Sequence, residues 1–436
     1  MNEEFLWYLW KYQLFQGKLI TTDGKSLEVQ RPGIHNTDAG PDFFDGRIKV
    51  DGTLWAGNIE IHVLASDWYH HNHHKDPAYD NTVLHVVYEY DRHVFSHAGR
   101  SVPALELKGR FDPRLYERYY SFMLSRSWIA CEDQLHGFNR IQLSAWLQRV
   151  MVERLELRSQ QITDSLDRSG HDFRETFYQK LLRNFGFRTN GDAFEALARS
   201  LPSKILTRHA GNNLQLEALL FGQAKLLSER CKDDYVIELR KEYAFLSGKY
   251  NLRPLKSGTV RFLRMRPANF PTIRLTQFAD LLTKTSGILH SILEADRLNV
   301  VIDLFRCETS PYWTRHYRFG KSSGFRKKVL GKNSVYLILM NTIIPFLFTY
   351  GRMTQKEYLA EKALDWLEEI PPEKNAITRG FAKAGIKTRN AMETQAVIQL
   401  KKTYCDLKKC LQCGIGRELL RPATKMLGDE TVDHVA

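Results

Sequence analysis

The first 110 or so residues alternate between apolar and polar positions, whereas the later chain spaces its apolar residues three and four apart. The first pattern predicts strands and the second predicts helices. DFFDGRIKV and TLWAGNIEIHV are predicted strands, and Asp51-Gly52 between them predicts a hairpin turn. The segment NEEFLWYLWKYQLF before them predicts an amphipathic helix. We therefore expect an α+β or α/β protein, with a small mixed sheet in residues 1–111 and a mainly helical body in residues 112–436.

One stretch of the body departs from the helical pattern. The segment NLRPLKSGTVRFLRMRPANFP is irregular and basic, so residues 250–275 are a candidate internal boundary or groove. The longest apolar run, residues 335–348, is interrupted by Asn341, Thr342 and Pro345. It is too short and too interrupted for a membrane span and predicts a buried helix.

Charge is distributed unevenly along the chain. The whole protein has 63 basic and 50 acidic residues, a formal net charge of +13. The first 110 residues hold 11 basic and 15 acidic residues, which leaves 52 and 35, or +17, for the rest. A basic body indicates a polyanion partner, most often nucleic acid, DNA or RNA. The N-terminus lacks the basic start and cleavage site of a secretory signal, so we expect a cytoplasmic protein without membrane contact.

Two segments of the body interleave cations with aromatic residues, RFLRMRPANFPTIRL and YWTRHYRFGKSSGFRKKVLGK. Cations contact phosphates and aromatic rings stack on bases, so this pattern favours nucleic-acid binding. The alternative is a solvated basic face whose aromatic residues belong to the core. The candidate contacts are Arg261, Arg264, Arg266, Arg315, Arg318, Arg326 and Lys327.

Glu60 and His62 are two residues apart in a predicted strand and therefore share one of its faces. Whether Asp42 joins them depends on the hairpin register. A two-residue turn pairs Val50 with Thr53 and turns Asp42 away, unless a bulge intervenes. A three-residue loop places Asp42 opposite Glu60. The sequence leaves both registers open.

The order helix, strand, Pro-Asp strand and Glu-x-base strand resembles the PD-(D/E)XK nuclease superfamily. This resemblance implies that Asp42 and Glu60 hold Mg²⁺ or Mn²⁺ for phosphodiester hydrolysis. His62 stands where that superfamily has a lysine, and it cannot supply a permanent cation. The expectation is a metal-dependent nuclease. The alternative is a non-catalytic nucleic-acid-binding or scaffold protein with a degenerate core.

The wider context, from RPGIHNTDAGPDFFDGRI to NTVLHVVY, also resembles an uncharacterised family of bacterial proteins of about this length. The segment YCDLKKCLQCGIG resembles the closing motif of the same family. The resemblance implies no activity.

Histidines are concentrated in DWYHHNHHKD, which predicts a helical turn capped by Ser66 or Asp67. His70, His73 and His85 are candidates to support the site. His70 and His74 are four apart and would share a helix face, and with His62 or His85 they could hold Zn²⁺ or another transition metal. This defines a further alternative, a His-ligated metal hydrolase with Glu60 as general base. A solvent-exposed surface turn is favoured for His71.

Cys405, Cys410 and Cys413 follow a C-x4-C-x2-C spacing. Three thiols so close together predict a Zn or Fe–S site, which needs a fourth ligand. Cys131, Cys231, Cys307 or a histidine could supply it, and three free thiols are the alternative.

Overall fold

The computed structural model of the protein describes residues 1–227, 230–285 and 287–421. It has two compact units, of which the first combines Met1–Trp146 with the segment that begins at Leu400, and the second is Leu147–Gln399. The first unit contains a mixed sheet and the second is mainly helical, which confirms the predicted mixed α+β class. Residues 250–275 lie inside the second unit. The boundary predicted near residue 111 stays a prediction.

A seven-stranded sheet forms the centre of the first unit, with the order β1-β2-β4-β5-β6-β7 and with β3 paired to β4. Strands β5, β6 and β7 run parallel to one another, and the other pairs are antiparallel. The strands are Leu19–Ile20 (β1), Ser26–Arg31 (β2), Ile34–His35 (β3), Phe43–Val50 (β4), Thr53–Leu64 (β5), Thr82–Glu89 (β6) and Ala104–Glu106 (β7).

The hairpin of β4 and β5 has the two-residue turn, because Val50 pairs with Thr53. The register then shifts by one residue, from Gly46 opposite Gly57 to Phe43 opposite Ile59. A bulge in β4 accounts for this shift. It sets the preceding residue, Asp42, level with Glu60.

Helix α1, Glu3–Lys11, packs against the sheet because its apolar residues recur at helical spacing. Phe5, Leu6, Leu9 and Trp10 are fully buried in one core cluster with sheet residues such as Ile59, Ile61, Leu84 and Val86. In β5 these isoleucines alternate with Glu60 and His62, which therefore point to the other face.

The connection from β5 to β6 covers that other face. It contains helix α2, Asp67–His70, and two 3₁₀ turns, His73–Lys75 and Pro77–Tyr79. A small cluster of Trp68, Tyr79, Val94 and Val102 anchors it. The Trp68 indole N–H also donates to the Phe95 carbonyl at 3.0 Å. This anchored connection fixes the histidine-rich segment above Glu60 and His62.

The other described elements of the first unit follow the sheet or end the described chain. They are the helix Pro113–Leu124, the 3₁₀ turn Glu132–Gln134, a π-helical turn Lys401–Cys405 and the helix Gly414–Leu420. The helix Arg140–Arg168 crosses from the first unit to the second, and Ala391–Leu400 crosses back.

Helices account for most of the described part of the second unit, which also has a short hairpin of His316–Arg318 and Lys321–Ser322. Within the described residues, one helical segment, Lys332–Met353, is long and apolar enough to cross a membrane, but 72% of its apolar window is buried inside the protein. The predicted buried helix is thus confirmed. The unit's other helices are Phe173–Phe185, Phe187–Ser200, Ser203–Arg208, Asn213–Gln223, Asp234–Tyr250, Pro271–Lys284, Ile288–Glu294, Leu298–Leu304, Glu357–Glu369 and Ala376–Lys383, with 3₁₀ turns at Pro267–Asn269 and Pro311–Thr314.

Candidate metal centre

Two carboxylates meet where the bulged end of β4 faces β5. The Asp42 backbone N–H donates to Glu60 Oε2 at 3.1 Å, and the Ile61 N–H donates to Asp42 Oδ2 at 2.9 Å. The bulge makes this exchange possible, because without it Asp42 would face away from Glu60. The structure therefore brings together the two acidic residues that the sequence singled out.

Histidines lie against the second oxygen of Glu60. Glu60 Oε1 is 3.6 Å from His62 Nε2 and 3.2 Å from His73 Nε2. His62 Nε2 is in turn 3.1 Å from His71 Nδ1. The ligand atoms of His62, His71 and His73 all lie within 4.8 Å of one another, which is the spacing of residues that hold one metal ion.

The backbone between His71 and His73 explains why both rings reach the same point. Asn72 has φ +63°, in the left-handed region. Asparagine adopts this conformation more readily than most residues. The resulting tight turn ends α2 and starts the next 3₁₀ turn, so that the imidazoles on either side of Asn72 converge on His62.

His85 contacts the second ring nitrogen of His62. It pairs with Glu60 across β5 and β6, and its Nε2 is 2.8 Å from His62 Nδ1, with one hydrogen shared between them. This contact fixes the orientation of the His62 ring and leaves its Nε2 directed towards Glu60, His71 and His73. Trp68 and Tyr79 pack on the same group, with the Tyr79 ring stacked on His73 at 3.8 Å between centroids.

Burial sets the charge state of the carboxyls. It raises the pKa of Asp42 to about 8, with the negative charge of Glu60 adding to the effect. Burial also raises the pKa of Glu60 to about 8, against the opposing hydrogen bond from the Asp42 N–H. Two desolvated acids side by side favour a bound cation, because a cation stabilises their ionised forms.

The pKa values of the buried imidazoles are lowered, whereas those of the two carboxyls are raised. Burial lowers the pKa of His62, and the neighbouring His85, His73 and His71 lower it further. Burial lowers the pKa of His85 to about 3 and also lowers that of His73. Rings that remain neutral at pH 7 keep a lone pair free for a metal.

The donor set fits a transition metal better than it fits Mg²⁺. Three imidazole nitrogens and one carboxylate oxygen are borderline ligands suited to Zn²⁺, Mn²⁺ or Fe²⁺, whereas Mg²⁺ prefers oxygen. Ligand bonds of about 2.0–2.1 Å in a tetrahedron put neighbouring ligand atoms about 3.4 Å apart. Three of the separations, 3.1–3.6 Å, match that spacing, and the ligand atoms of the three histidines all lie within 4.8 Å of one another. His73 Nε2 is buried and, although it lies 3.2 Å from Glu60 Oε1, it makes no hydrogen bond of acceptable geometry.

The remaining histidine candidate lies outside the cluster. The His70 side chain is 70% exposed and pairs with Asp67 at 3.2 Å. His71, for which a surface position was favoured, is exposed but also reaches His62. Sequence reasoning missed Glu3 of α1, a partly buried carboxyl. Burial raises its pKa, and the proximity of His71 opposes that shift. No local motif marks this residue.

In the second unit, the structure brings together the two basic aromatic segments. Arg318 lies over the rings of Phe262 and Phe270, at 4.8 and 4.9 Å from their centroids. The Thr272 hydroxyl also donates to the Tyr317 carbonyl at 2.7 Å. The seven candidate cations are all exposed, and they are Arg261, Arg264, Arg266, Arg315, Arg318, Arg326 and Lys327.

Comparison with known proteins gives a family without an assigned activity. Residues 3–376 match the model of a family described as "Protein of unknown function (DUF2851)", and the chain belongs to this family. The match includes the whole histidine–carboxylate cluster and ends before Cys405. No curated protein and no solved structure matches the chain. The comparisons therefore supply no nuclease relative.

Proposed function

We propose that the first unit is a metal-dependent hydrolase that cleaves phosphodiester bonds in nucleic acid. The observation that carries the proposal is the convergence of the ligand atoms of His62, His71 and His73 within 4.8 Å of one another, with Glu60 Oε1 3.6 Å from His62 Nε2 and 3.2 Å from His73 Nε2. The three histidines would hold Zn²⁺, Mn²⁺ or Fe²⁺, with the Glu60 carboxylate beside them. The exposed ring of His71 puts one side of the cluster at the solvent, where a substrate has access.

A bound metal of this kind polarises a phosphoryl oxygen and lowers the pKa of a coordinated water. The chain supplies the other requirement, a group that accepts the proton of the attacking water. Asp42 is next to Glu60, and the Ile61 N–H fixes one of its oxygens. A metal bound beside Asp42 would lower the pKa of this carboxyl from about 8, so that it would be ionised at pH 7 and could act as general base.

The resemblance to PD-(D/E)XK nucleases motivates the choice of phosphodiester substrates. Its support in this chain is the order α1, then the β4–β5 hairpin with Asp42 and Glu60, then the parallel strand β6. In the form that the resemblance implies, Mg²⁺ or Mn²⁺ would bind Asp42 and Glu60 alone. The imidazoles around Glu60 favour the His-ligated form instead, and Mn²⁺ is compatible with both.

Nucleic acid is the proposed partner because of the second unit's surface. Exposed cations flank Phe325, which is 67% exposed, and Leu263, which is 78% exposed. A cleft of 450 Å³ in the same unit adds five cations, Arg158, Arg168, Lys180, Arg183 and Arg199, against the two acids Asp164 and Glu195. Cations beside exposed apolar groups suit a phosphate backbone and stacked bases.

The test of catalysis begins with protein stripped by a chelator. Single- and double-stranded DNA and RNA are then offered with Mn²⁺, Zn²⁺, Fe²⁺ or Mg²⁺. We expect cleavage only with added metal, and we expect His73→Ala to lose both cleavage and metal binding by calorimetry. The matched control is His70→Ala, which removes an exposed histidine of the same segment and should behave as the parent protein.

Binding is tested separately by titration of labelled oligonucleotides at several salt concentrations. The double variant Arg264→Ala, Arg266→Ala should flatten the salt dependence by about one unit for each lost phosphate contact. Lys204→Ala, Arg208→Ala, which also removes two exposed cations from the second unit, is the control. Binding without cleavage under any metal would leave the non-catalytic alternative, and the absence of both would contradict the proposal.

A further inference from the structure

The cleft of 450 Å³ in the second unit lies among four helical segments. Its walls come from the helices Arg140–Arg168, Phe173–Phe185 and Phe187–Ser200 and from residues 341–345 of the apolar helical segment. The seven candidate cations of the two basic aromatic segments are not among its lining residues. The cleft is therefore a concave site in its own right, and its volume is in the range that encloses a small molecule.

One wall of the cleft is an irregular turn of helix. Residues Leu339–Ile343 form a π-helical turn directly before Pro345. Pro345 has no N–H to donate to the Asn341 carbonyl, and the side chain of Asn184 on the neighbouring helix donates to this carbonyl instead, at 3.3 Å. The two helices thus meet through polar groups at this point. Such π-helical turns occur frequently at functional sites.

Three of the five lining cations share one carboxylate. Glu195 Oε1 is 2.9 Å from Arg199 and 3.6 Å from Lys180, and its Oε2 is 3.1 Å from Arg183 Nε. Arg183 reaches a further carboxylate, that of the exposed Asp192, at 2.9 Å. Three cations therefore face two carboxylates on this side of the cleft.

The other two lining cations have neutral partners. Arg158 donates to the Gln161 side-chain oxygen at 3.3 Å, and Arg168 donates to Ser165 Oγ at 2.9 Å. Within the described residues, neither arginine forms an ion pair. Burial lowers the pKa of Arg158, and the charge of Arg183 lowers it further. A bound anion would stabilise a guanidinium in these surroundings, because it would compensate both the burial and the repulsion.

Amide oxygens line the same cleft. The side-chain N–H groups of Asn184 and Asn341 donate to main-chain carbonyls. In the part of the chain that the structure describes, neither side-chain oxygen accepts a hydrogen bond. Such acceptors suit the hydroxyl groups of a sugar, and Ile162 and Pro345 add apolar surface to the lining.

We propose that this cleft binds the phosphate group of a phosphorylated sugar, either in a free nucleotide or at the end of a nucleic acid. Five cations face three carboxylates, those of Asp164, Asp192 and Glu195, which leaves an excess of two positive charges. A phosphate monoester carries about −1.5 to −2 at pH 7 and balances this excess. The arginines bind the phosphate oxygens, and the amide oxygens accept from the sugar hydroxyls.

The cleft belongs to a different unit from the histidine–carboxylate cluster, so the proposal does not depend on the hydrolase assignment. Its test uses the full chain in the presence of a chelator, so that phosphate cannot bind a metal in the first unit. Calorimetric titration with AMP, ribose 5-phosphate and adenosine compares ligands with and without phosphate. We expect AMP and ribose 5-phosphate to bind, and adenosine to bind much more weakly.

Variants assign the binding to the cleft. Arg158→Ala should weaken AMP binding by about 10–100-fold, because it removes a charged hydrogen-bond donor, and Arg158→Lys should retain part of the affinity. Arg168→Ala repeats the test at an exposed position, where the substitution leaves the core unchanged. The matched control is Arg208→Ala, which removes an exposed arginine of the same unit outside the cleft. Melting temperatures identify any variant that fails to fold.

Oligonucleotides with and without a terminal phosphate distinguish the two sources of the ligand. A terminal phosphate that tightens binding to the parent protein, and not to Arg158→Ala, would support the proposal and assign the site to the ends of nucleic acid. Binding of AMP without an effect of the terminal phosphate would support it for a free nucleotide. The proposal would be overturned if none of these phosphates binds in the millimolar range, or if Arg158→Ala and Arg168→Ala bind them as the parent does.

Discussion

The histidine–carboxylate cluster and the cysteines Cys131, Cys405, Cys410 and Cys413 belong to the same unit but differ in access. The first has an exposed histidine, His71, and the ligand atoms of its three histidines lie within 4.8 Å of one another. The second consists of thiols that are all partly or fully buried. Open coordination at the surface is typical of catalytic metals, and closed coordination is typical of structural ones. The exposed ligand therefore favours the histidine–carboxylate cluster, and not the cysteines, for the proposed chemistry.

The largest expected effect tests this comparison directly. Asp42→Asn should lower metal-dependent cleavage by about 10²–10⁴-fold, because it removes the proposed proton acceptor. Asp42 is not a proposed metal ligand, so the metal content, measured by elemental analysis, should stay unchanged. Cys131→Ser should leave cleavage per folded molecule nearly intact. Equal losses in the two variants would contradict the assignment of the chemistry to the histidine–carboxylate cluster.

A smaller effect is expected at His85, which contacts His62 Nδ1 and is not itself a proposed metal ligand. His85→Gln should lower the metal affinity by about 10–100-fold, because outer partners orient the ligand ring. Competition with a fluorescent chelator gives the affinity. His93→Gln changes an exposed histidine of the same unit and is the control. An unchanged affinity would mean that the 2.8 Å contact with His62 has no part in metal binding.

The close packing around Gly416 can be tested through its effect on the stability of the protein. Gly416→Ala should lower the free energy of unfolding by about 1–3 kcal/mol, because its methyl group would collide with the Cys410 carbonyl. Denaturant titration measures the change. Gly137→Ala, at a position with open space, is the control. A Gly416→Ala variant as stable as the parent would show that the surrounding backbone can relax.

The smallest effect concerns pH in metal-free protein. The pKa of both Asp42 and Glu60 lies at about 8 in the folded state, above ordinary carboxyl values of about 4. The folded state then binds more protons, so the free energy of unfolding falls as pH rises from 6.5 to 8. The fall is up to about 1.4 kcal/mol per pH unit for each carboxyl.

This slope should vanish in the double variant Asp42→Asn, Glu60→Gln, measured by denaturant titration in chelator. A slope of the opposite sign in the parent protein would contradict the burial of the pair. The cysteines of the comparison contribute no such slope below pH 8, since burial raises the pKa of their thiols.

The sequence predicted the β4–β5 hairpin and the strand face that Glu60 and His62 share. It did not determine on which side Asp42 lies. Asp51-Gly52 determines the turn through local backbone preference. The bulge depends on contacts between strands that are distant in sequence. At Gly46, beside the bulge, a side chain would approach the Ile59 side chain to 2.8 Å, so β4 and β5 pack closely there only because residue 46 is glycine. Such packing leaves no periodic signal.

The histidines and the cysteines were also only partly predictable from local sequence. His71 and His73 converge because Asn72 is left-handed, and the pair His-Asn-His is a signal that sequence reasoning could have used. Cys131 stands more than 270 residues before Cys405. The spacing C-x4-C-x2-C predicts a site, but no local pattern can point to a ligand so far away in the sequence.

The discontinuity of the first unit has a consequence for biosynthesis. Its two parts are separated by the 253 residues from Leu147 to Gln399. At about 5–20 residues per second, a ribosome needs roughly 10–50 s to synthesise the intervening segment. During that interval the sheet lacks Leu411 and Leu420, which are part of its core. Synthesis of the helical unit is therefore finished before synthesis of the first unit, although the first unit begins earlier in the chain. Until the segment with Leu411 and Leu420 emerges, the nascent chain exposes part of an incomplete core to chaperones.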